Sequence, residues 1–189
     1  MSQSTFVRAP GIRLASPSAE DTLAIAGRLA GAARPGDLLC LWGELGAGKT
    51  VVAKGFGAGL GVEDTINSPT FVLMAEYAGR LPLFHLDLYR LADADDAYAG
   101  GLLDERQADG VTLIEWPERL GAALPADRLD IRIDGTGDEP RQITIAASTA
   151  ALGRYVTAAQ GEADGATDRA ATEPPESALP DGPHRGTPR

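Results

Sequence analysis

Gly43-Glu44-Leu45-Gly46-Ala47-Gly48-Lys49-Thr50 fits the spacing G-x-x-x-x-G-K-[ST]. That pattern constrains its surroundings, because it works only between a buried strand and the start of a helix. The flanks have the required character. Asp37 to Trp42 is a short apolar run entering the loop, and Thr50 to Phe56 leaves it with helix-compatible spacing. Glycines let successive backbone N–H groups turn inward around phosphate oxygens, and the helix N-terminus adds a partial positive charge at the same point. Glu44, Leu45, Gly46, Ala47, Gly48, Lys49 and Thr50 are therefore the candidate nucleotide-phosphate ligands. Lys49 is expected to reach the β- and γ-phosphates, and the Thr50 hydroxyl to ligate Mg²⁺. Of the 17 basic residues only Lys49 and Lys54 are lysines. A chain that otherwise spells positive charge with arginine thus uses a compact ammonium at the loop.

At 189 residues with 43% hydrophobic content, the chain is expected to form one domain with extras. No apolar run approaches the length of a membrane span, and Met1 to Pro10 lacks the apolar core of a secretory signal. The single cysteine, Cys40, precedes the loop and reads as a small core residue in a reducing cytoplasm. The net charge of −10 argues against this chain being the main nucleic-acid-gripping surface and against a DNA-binding role.

Along the chain, residues 1–11 read as a flexible arm and 12–158 as the folded domain. Residues 159–189 read as a disordered tail, rich in Gly, Ala, Pro and acids, with too little apolar surface to order itself. Residues 11–16 alternate as a strand. Ser18 and Asp21 offer an N-cap and a weak capping box for a helix over 18–33. The helix after the loop is expected to stop among the glycines of 57–61. Residues 71–88 read as a hairpin of strands 71–77 and 81–88. An acidic helix start at 93–96, a short helix at 101–107, and strands at 111–115, 129–134 and 142–147 follow. A short helix at 149–158 closes the domain. This order predicts an α/β fold: a three-layer P-loop NTPase sandwich with a mixed, mainly parallel central sheet and helices on both faces.

Hydrolysis needs a carboxylate for the metal and a group that positions water. Asp87 and Glu115 both end apolar strands, and either could be that acid. The alternatives are that Asp87 caps the next turn and that Glu115 is a solvated strand end. Candidate catalytic residues are thus Lys49, Asp87 and Glu115, with Thr50 and Glu115 as candidate metal ligands. His85, in an apolar strand, reads as a structural histidine rather than a base. Tyr89-Arg90 divides evenly between packing and nucleotide contact, and Trp116 between core and a site or partner role.

Four ordered segments, Gly43 to Thr50, Ser68-Pro69-Thr70-Phe71, His85 to Leu91 and Glu115-Trp116-Pro117-Glu118-Arg119, closely resemble the TsaE (YjeE) family over about residues 12–150. These are small bacterial P-loop ATPases needed to make threonylcarbamoyl-adenosine beside the tRNA anticodon. The resemblance implies binding of ATP or ADP with Mg²⁺. It also implies action on a TsaB–TsaD complex that carries out the transfer itself, with the tRNA reached through those partners. It implies that Thr50 and Glu115 attend the metal, that Asp87 supports hydrolysis through water or the metal's outer shell, and that Ser68 and Thr70 form a switch sensing the γ-phosphate. Trp116 falls at the family's tryptophan beside that glutamate. Glu44 stands where Asp is more usual and Phe71 where Tyr is usual; neither removes a phosphate ligand. Two other readings remain: a small-molecule P-loop kinase, for which 91–110 is short and acidic as a lid, and a non-hydrolysing, nucleotide-gated binding module. No guanine-reading Asn-Lys-x-Asp occurs.

Overall fold

The computed structural model describes residues 11–91 and 105–161. Seven strands form one sheet in the order β1-β7-β6-β2-β5-β4-β3. They are β1 (Gly11–Ser16), β2 (Asp37–Trp42), β3 (Met74–Tyr77), β4 (Leu83–Asp87), β5 (Val111–Glu115), β6 (Leu129–Asp134) and β7 (Arg141–Ala147). β6, β2, β5 and β4 run parallel, while β7 and β3 pair antiparallel with their neighbours. The mixed, centrally parallel sheet of an α/β protein is therefore present. β4 and β5 are buried along their whole length, as expected of parallel strands covered on both faces.

Among the described residues three α-helices, α1 (Ala19–Gly31), α2 (Lys49–Gly59) and α3 (Gly153–Gln160), share one core with one face of the sheet. The other face packs Phe84, Leu86 and Ile114 against Leu120, which lies in a 3-10 segment at Pro117–Ala123. α1 starts where the capping box places it. The Ser18 hydroxyl accepts from the Asp21 N–H at 3.2 Å, and the Ser18 N–H donates to the Asp21 carboxylate at 3.1 Å. A cap of this kind contributes about 1 kcal/mol. α1 and α2 then cross closely, because α2 has Gly55 and Gly59 at the contact. A Cβ on Gly55 would stand 2.5 Å from the Leu23 carbonyl oxygen, and one on Gly59 2.6 Å from that of Gly27. α3 is tied to the start of β2: the Tyr155 hydroxyl donates to Asp37 at 2.6 Å, and the Arg154 guanidinium pairs with the same carboxylate.

The hairpin is shorter than its sequence predicts. Residues 71–73 form a turn, in which the Val72 and Leu73 N–H groups both donate to the Pro69 carbonyl, and Leu73 has φ +66°. The turn leaves Phe71 and Val72 outside the strand. Residues 105–109, which overlap the expected helix at 101–107, are 3-10, and the closing helix is split into a 3-10 turn at 150–152 followed by α3. The acidic helix start at 93–96 lies outside the described residues.

Candidate functional site

Strand parity decides which side chains meet. Leu83, His85 and Asp87 of β4 and Val111, Leu113 and Glu115 of β5 alternate onto one face, the face that carries α2. In the parallel register His85 stands opposite Leu113 and Asp87 opposite Glu115. β2 is β5's other neighbour, so the loop that leaves Trp42 emerges beside these two carboxylates.

The loop's shape depends on its glycines, Gly43 and Gly48 among them. Gly43 has φ +149°, and a Cβ there would lie 2.6 Å from the Ile133 carbonyl oxygen. Gly48, at the N-terminus of α2, has φ +107°. Both are conformations that glycine supplies without strain. Arg141 of β7 reaches across and donates from Nε to the Ala47 carbonyl at 3.0 Å, fixing the loop from outside. Behind the loop, Trp42 Nε1 and Arg128 Nε both donate to the buried Asp130 carboxylate, at 2.9 and 2.8 Å.

Lys49 folds back over the loop. Its Nζ donates to the Gly43 carbonyl at 2.7 Å and the Glu44 carbonyl at 2.9 Å, and lies 3.7 Å from the centre of a Trp116 ring. Burial pushes the ammonium below the ordinary lysine range, against the opposing pull of Glu115, Glu118 and Asp87. Trp116 adopts a left-handed conformation, φ +61°, immediately after Glu115, and Tyr89 packs on it with ring centroids 4.9 Å apart. A non-glycine residue held there stores about 1–2 kcal/mol, a mark of functional segments.

Thr50 Oγ1 donates to Glu115 Oε1 at 3.0 Å. This brings together the two residues expected to attend the metal. Among the described residues no cluster of three or more His, Cys, Asp or Glu could hold a metal by itself. A threonine hydroxyl and a carboxylate oxygen are hard donors of the kind Mg²⁺ accepts in nucleotide sites, where one or two protein oxygens are completed by phosphates and water. Ser68 Oγ and Thr70 Oγ1 both donate to Asp87 Oδ2, the latter at 2.5 Å, and the Tyr89 N–H donates to Oδ1 at 3.0 Å. Thus the 68–70 segment is latched to Asp87. Lys49, Thr50, Ser68, Thr70, Asp87, Glu115 and Trp116 line one cavity of about 380 Å³ together with Leu45, Gly46 and Gly48. Glu44 is exposed and contributes its carbonyl to Lys49; Ala47 is buried under the loop.

A second cleft of about 270 Å³ lies on the other side of the same loop, between Ala47, Gly48 and Val51 and the residues Ser16, Ser18, Asp138 and Arg141. Sequence reasoning missed this cleft and the Arg141 brace. The residues come from distant segments, the end of β1 and the β6–β7 turn, and only the sheet order joins them. It also missed that His85 reaches Glu115: Nε2 lies 3.0 Å from Oε1. The alternation along β4 and β5 puts both side chains on one face, but only the strand pairing and register bring them together.

Glycine-rich loop, buried lysine, threonine–glutamate pair and mixed parallel sheet define a P-loop nucleotide-binding protein with an ATPase-like site. The family model for TsaE, threonylcarbamoyl adenosine biosynthesis protein, matches residues 16–143. The chain belongs to the TsaE family. It is 46% identical over 129 residues to the tRNA threonylcarbamoyladenosine biosynthesis protein TsaE of Bacillus subtilis, covering 68% of this chain and 80% of that one. It is 41% identical over 138 residues to the protein of the same name from Treponema pallidum, covering 71% and 100%. The crystal structure of Bacillus subtilis YdiB superimposes with a TM-score of 0.64 at 36% identity, over 82% of this chain and 95% of that one.

Proposed function

We propose that this chain is the ATP-binding and ATP-hydrolysing subunit required to form threonylcarbamoyl-adenosine next to the tRNA anticodon, acting on a TsaB–TsaD complex and not transferring the group itself. The observation that carries the reading is the Thr50–Glu115 hydrogen bond at the mouth of the loop, with Asp87 opposite Glu115. A loop alone binds phosphate; a loop facing two strand-end carboxylates has the parts for hydrolysis.

In this reading the loop N–H groups and Lys49 hold the phosphates. The base and ribose occupy the cleft beside Ser16, Ser18 and Arg141. Thr50 and Glu115 hold Mg²⁺, which supplies neutralisation of phosphate charge. Asp87 orients water, and its bonds to Ser68 and Thr70 tie that work to the switch segment. Leu45, Phe71 and Val72 are 72%, 82% and 71% exposed, and Tyr89 is 40% exposed. Large apolar side chains grouped around a site mouth fit a surface that a protein partner covers. The acidic chain leaves the tRNA to its partners. No described helix is long and apolar enough to cross a membrane.

The test is ATP turnover with and without purified TsaB–TsaD. Stimulation by the complex is expected, and Lys49→Ala and Glu115→Ala are each expected to abolish it. Wild-type rates from either variant would defeat the site assignment. ATP bound tightly but left intact in a single turnover with the complex present would instead identify a nucleotide-gated binding module.

A further inference from the structure

We infer that His85 is a positioning residue for the metal-binding carboxylate. It acts through Glu115 rather than by touching nucleotide or water. The inference rests on the Mg²⁺–nucleotide reading of the site. His85 is completely buried in β4, yet its Nε2 lies 3.0 Å from Glu115 Oε1, the oxygen that also accepts from Thr50 Oγ1 at 3.0 Å. A carboxylate can only accept, so Nε2 carries the hydrogen. Its Nδ1 is buried and has no hydrogen-bond partner among the described residues. A histidine kept only for packing has no reason to leave a ring nitrogen orphaned, since an apolar side chain of similar size would fill the space without that desolvation cost. What the imidazole supplies is one donor, aimed at one oxygen.

The consequence for Glu115 is orientation. Its carboxyl is pinned at Oε1 from two sides, by α2 through Thr50 and by β4 through His85. Among the described residues neither bond uses Oε2, whose lone pairs remain open. Outer partners of metal-binding carboxylates fix the ligand before the ion arrives, and removing one typically weakens metal binding about 10–100-fold. His85 also enters from the strand that carries Asp87, two residues on, so the same strand sets both acids of the site. It lies behind Glu115, in the register row of Leu113, and is fully buried, so it has no route to a phosphate.

The experiment is calorimetric titration of ADP at a series of Mg²⁺ concentrations, and in EDTA, with no turnover involved. His85→Leu is expected to raise the Mg²⁺ concentration for half-maximal tightening by about tenfold or more, while the EDTA affinity stays within about twofold of wild type. His85→Gln, whose amide nitrogen can take the place of Nε2, is expected to stay within about threefold of wild type. His85→Asn, too short to reach Glu115, is expected to behave like His85→Leu. Should His85→Leu fail to fold, the Gln and Asn variants carry the comparison. Equal Mg²⁺ dependence of the two, or wild-type Mg²⁺ dependence in a folded His85→Leu, overturns the inference. A wild-type protein whose ADP affinity ignores Mg²⁺ overturns instead the metal reading on which it stands.

Discussion

Asp87 and Glu115 are register partners on adjacent parallel strands, and each carboxylate is held by a different part of the chain. Glu115 takes Thr50 from the helix after the phosphate loop, whereas Asp87 takes Ser68 and Thr70 from the segment before β3. Two acids side by side are thereby given two distinct surroundings, one facing the phosphate loop and one facing the segment expected to sense its contents.

Separate roles for the pair predict separable losses. Asp87→Asn keeps the shape and can still accept from hydroxyls, but lacks the charge proposed to orient water. Partner-stimulated turnover is expected to fall about 10²–10⁴-fold while ADP affinity in Mg²⁺ changes by less than about threefold. Glu115→Gln is expected to lose the Mg²⁺ enhancement of ADP affinity. Equilibrium binding together with steady-state rates checks both; identical defects in the two variants would mean the acids work as one unit.

Lys49 predicts a pH dependence. Burial lowers its pKa below the ordinary lysine value of 10.5. Phosphate favours the charged ammonium, so ADP binding is expected to take up protons and to weaken as pH rises through that lowered value, by up to about tenfold per unit. For the fold the sign is reversed. The unfolded lysine holds its proton to higher pH, so the cost of keeping the ammonium buried applies below the folded pKa and lifts between there and 10.5. ADP titrations between neutral pH and 10 read the first effect; Lys49→Ala should bind weakly and without that alkaline limb.

The α1–α2 crossing predicts a stability loss remote from the nucleotide. Gly55→Ala places a methyl 2.5 Å from the Leu23 carbonyl oxygen and 2.8 Å from its Cα, both backbone atoms that cannot swing aside. The gain in helix propensity, about 1 kcal/mol, is expected to be exceeded by overpacking of about 1–3 kcal/mol. Chemical denaturation checks the sign: a stabilised Gly55→Ala would mean that the helices part easily.

Cys40 is expected to be inert. Burial raises its thiol well above the ordinary range, and the Asp130 charge adds to this. A thiol-specific chromogenic reagent should therefore react only as fast as the native state opens, and at once in denaturant. Prompt reaction of native protein would show that the strand before the loop is accessible.

Much of this was legible in the sequence wherever the determinant was local. Ser18 and Asp21 lie three residues apart and announce the start of α1. The loop spacing announces both its flanks, and the strands at 111–115 and 129–134 follow from continuous or alternating apolar runs. The failures have local causes too. Phe71 and Val72 look like strand residues, but the Pro69 carbonyl captures two N–H groups and turns the chain before β3 begins. What no local pattern could give is the meeting of segments. Arg141 on the loop carbonyls and His85 on Glu115 depend on strand order and register, which are fixed by the whole sheet. His85 read as a structural histidine without a named partner for that reason: its partner is 30 positions away.

If the loop holds nucleotide phosphates as proposed, the folded-back position of Lys49 bears on which anions it takes. Its ammonium is already coordinated by the Gly43 and Glu44 carbonyls and faced by the Trp116 ring. For a lone anion to draw the lysine away, the ammonium would exchange three existing contacts for one new one. A polyphosphate offers several oxygens at once, enough to meet the ammonium and the loop N–H groups together. On the proposed nucleotide reading, these contacts of the lysine would favour ligands long enough to satisfy the whole loop over small anions.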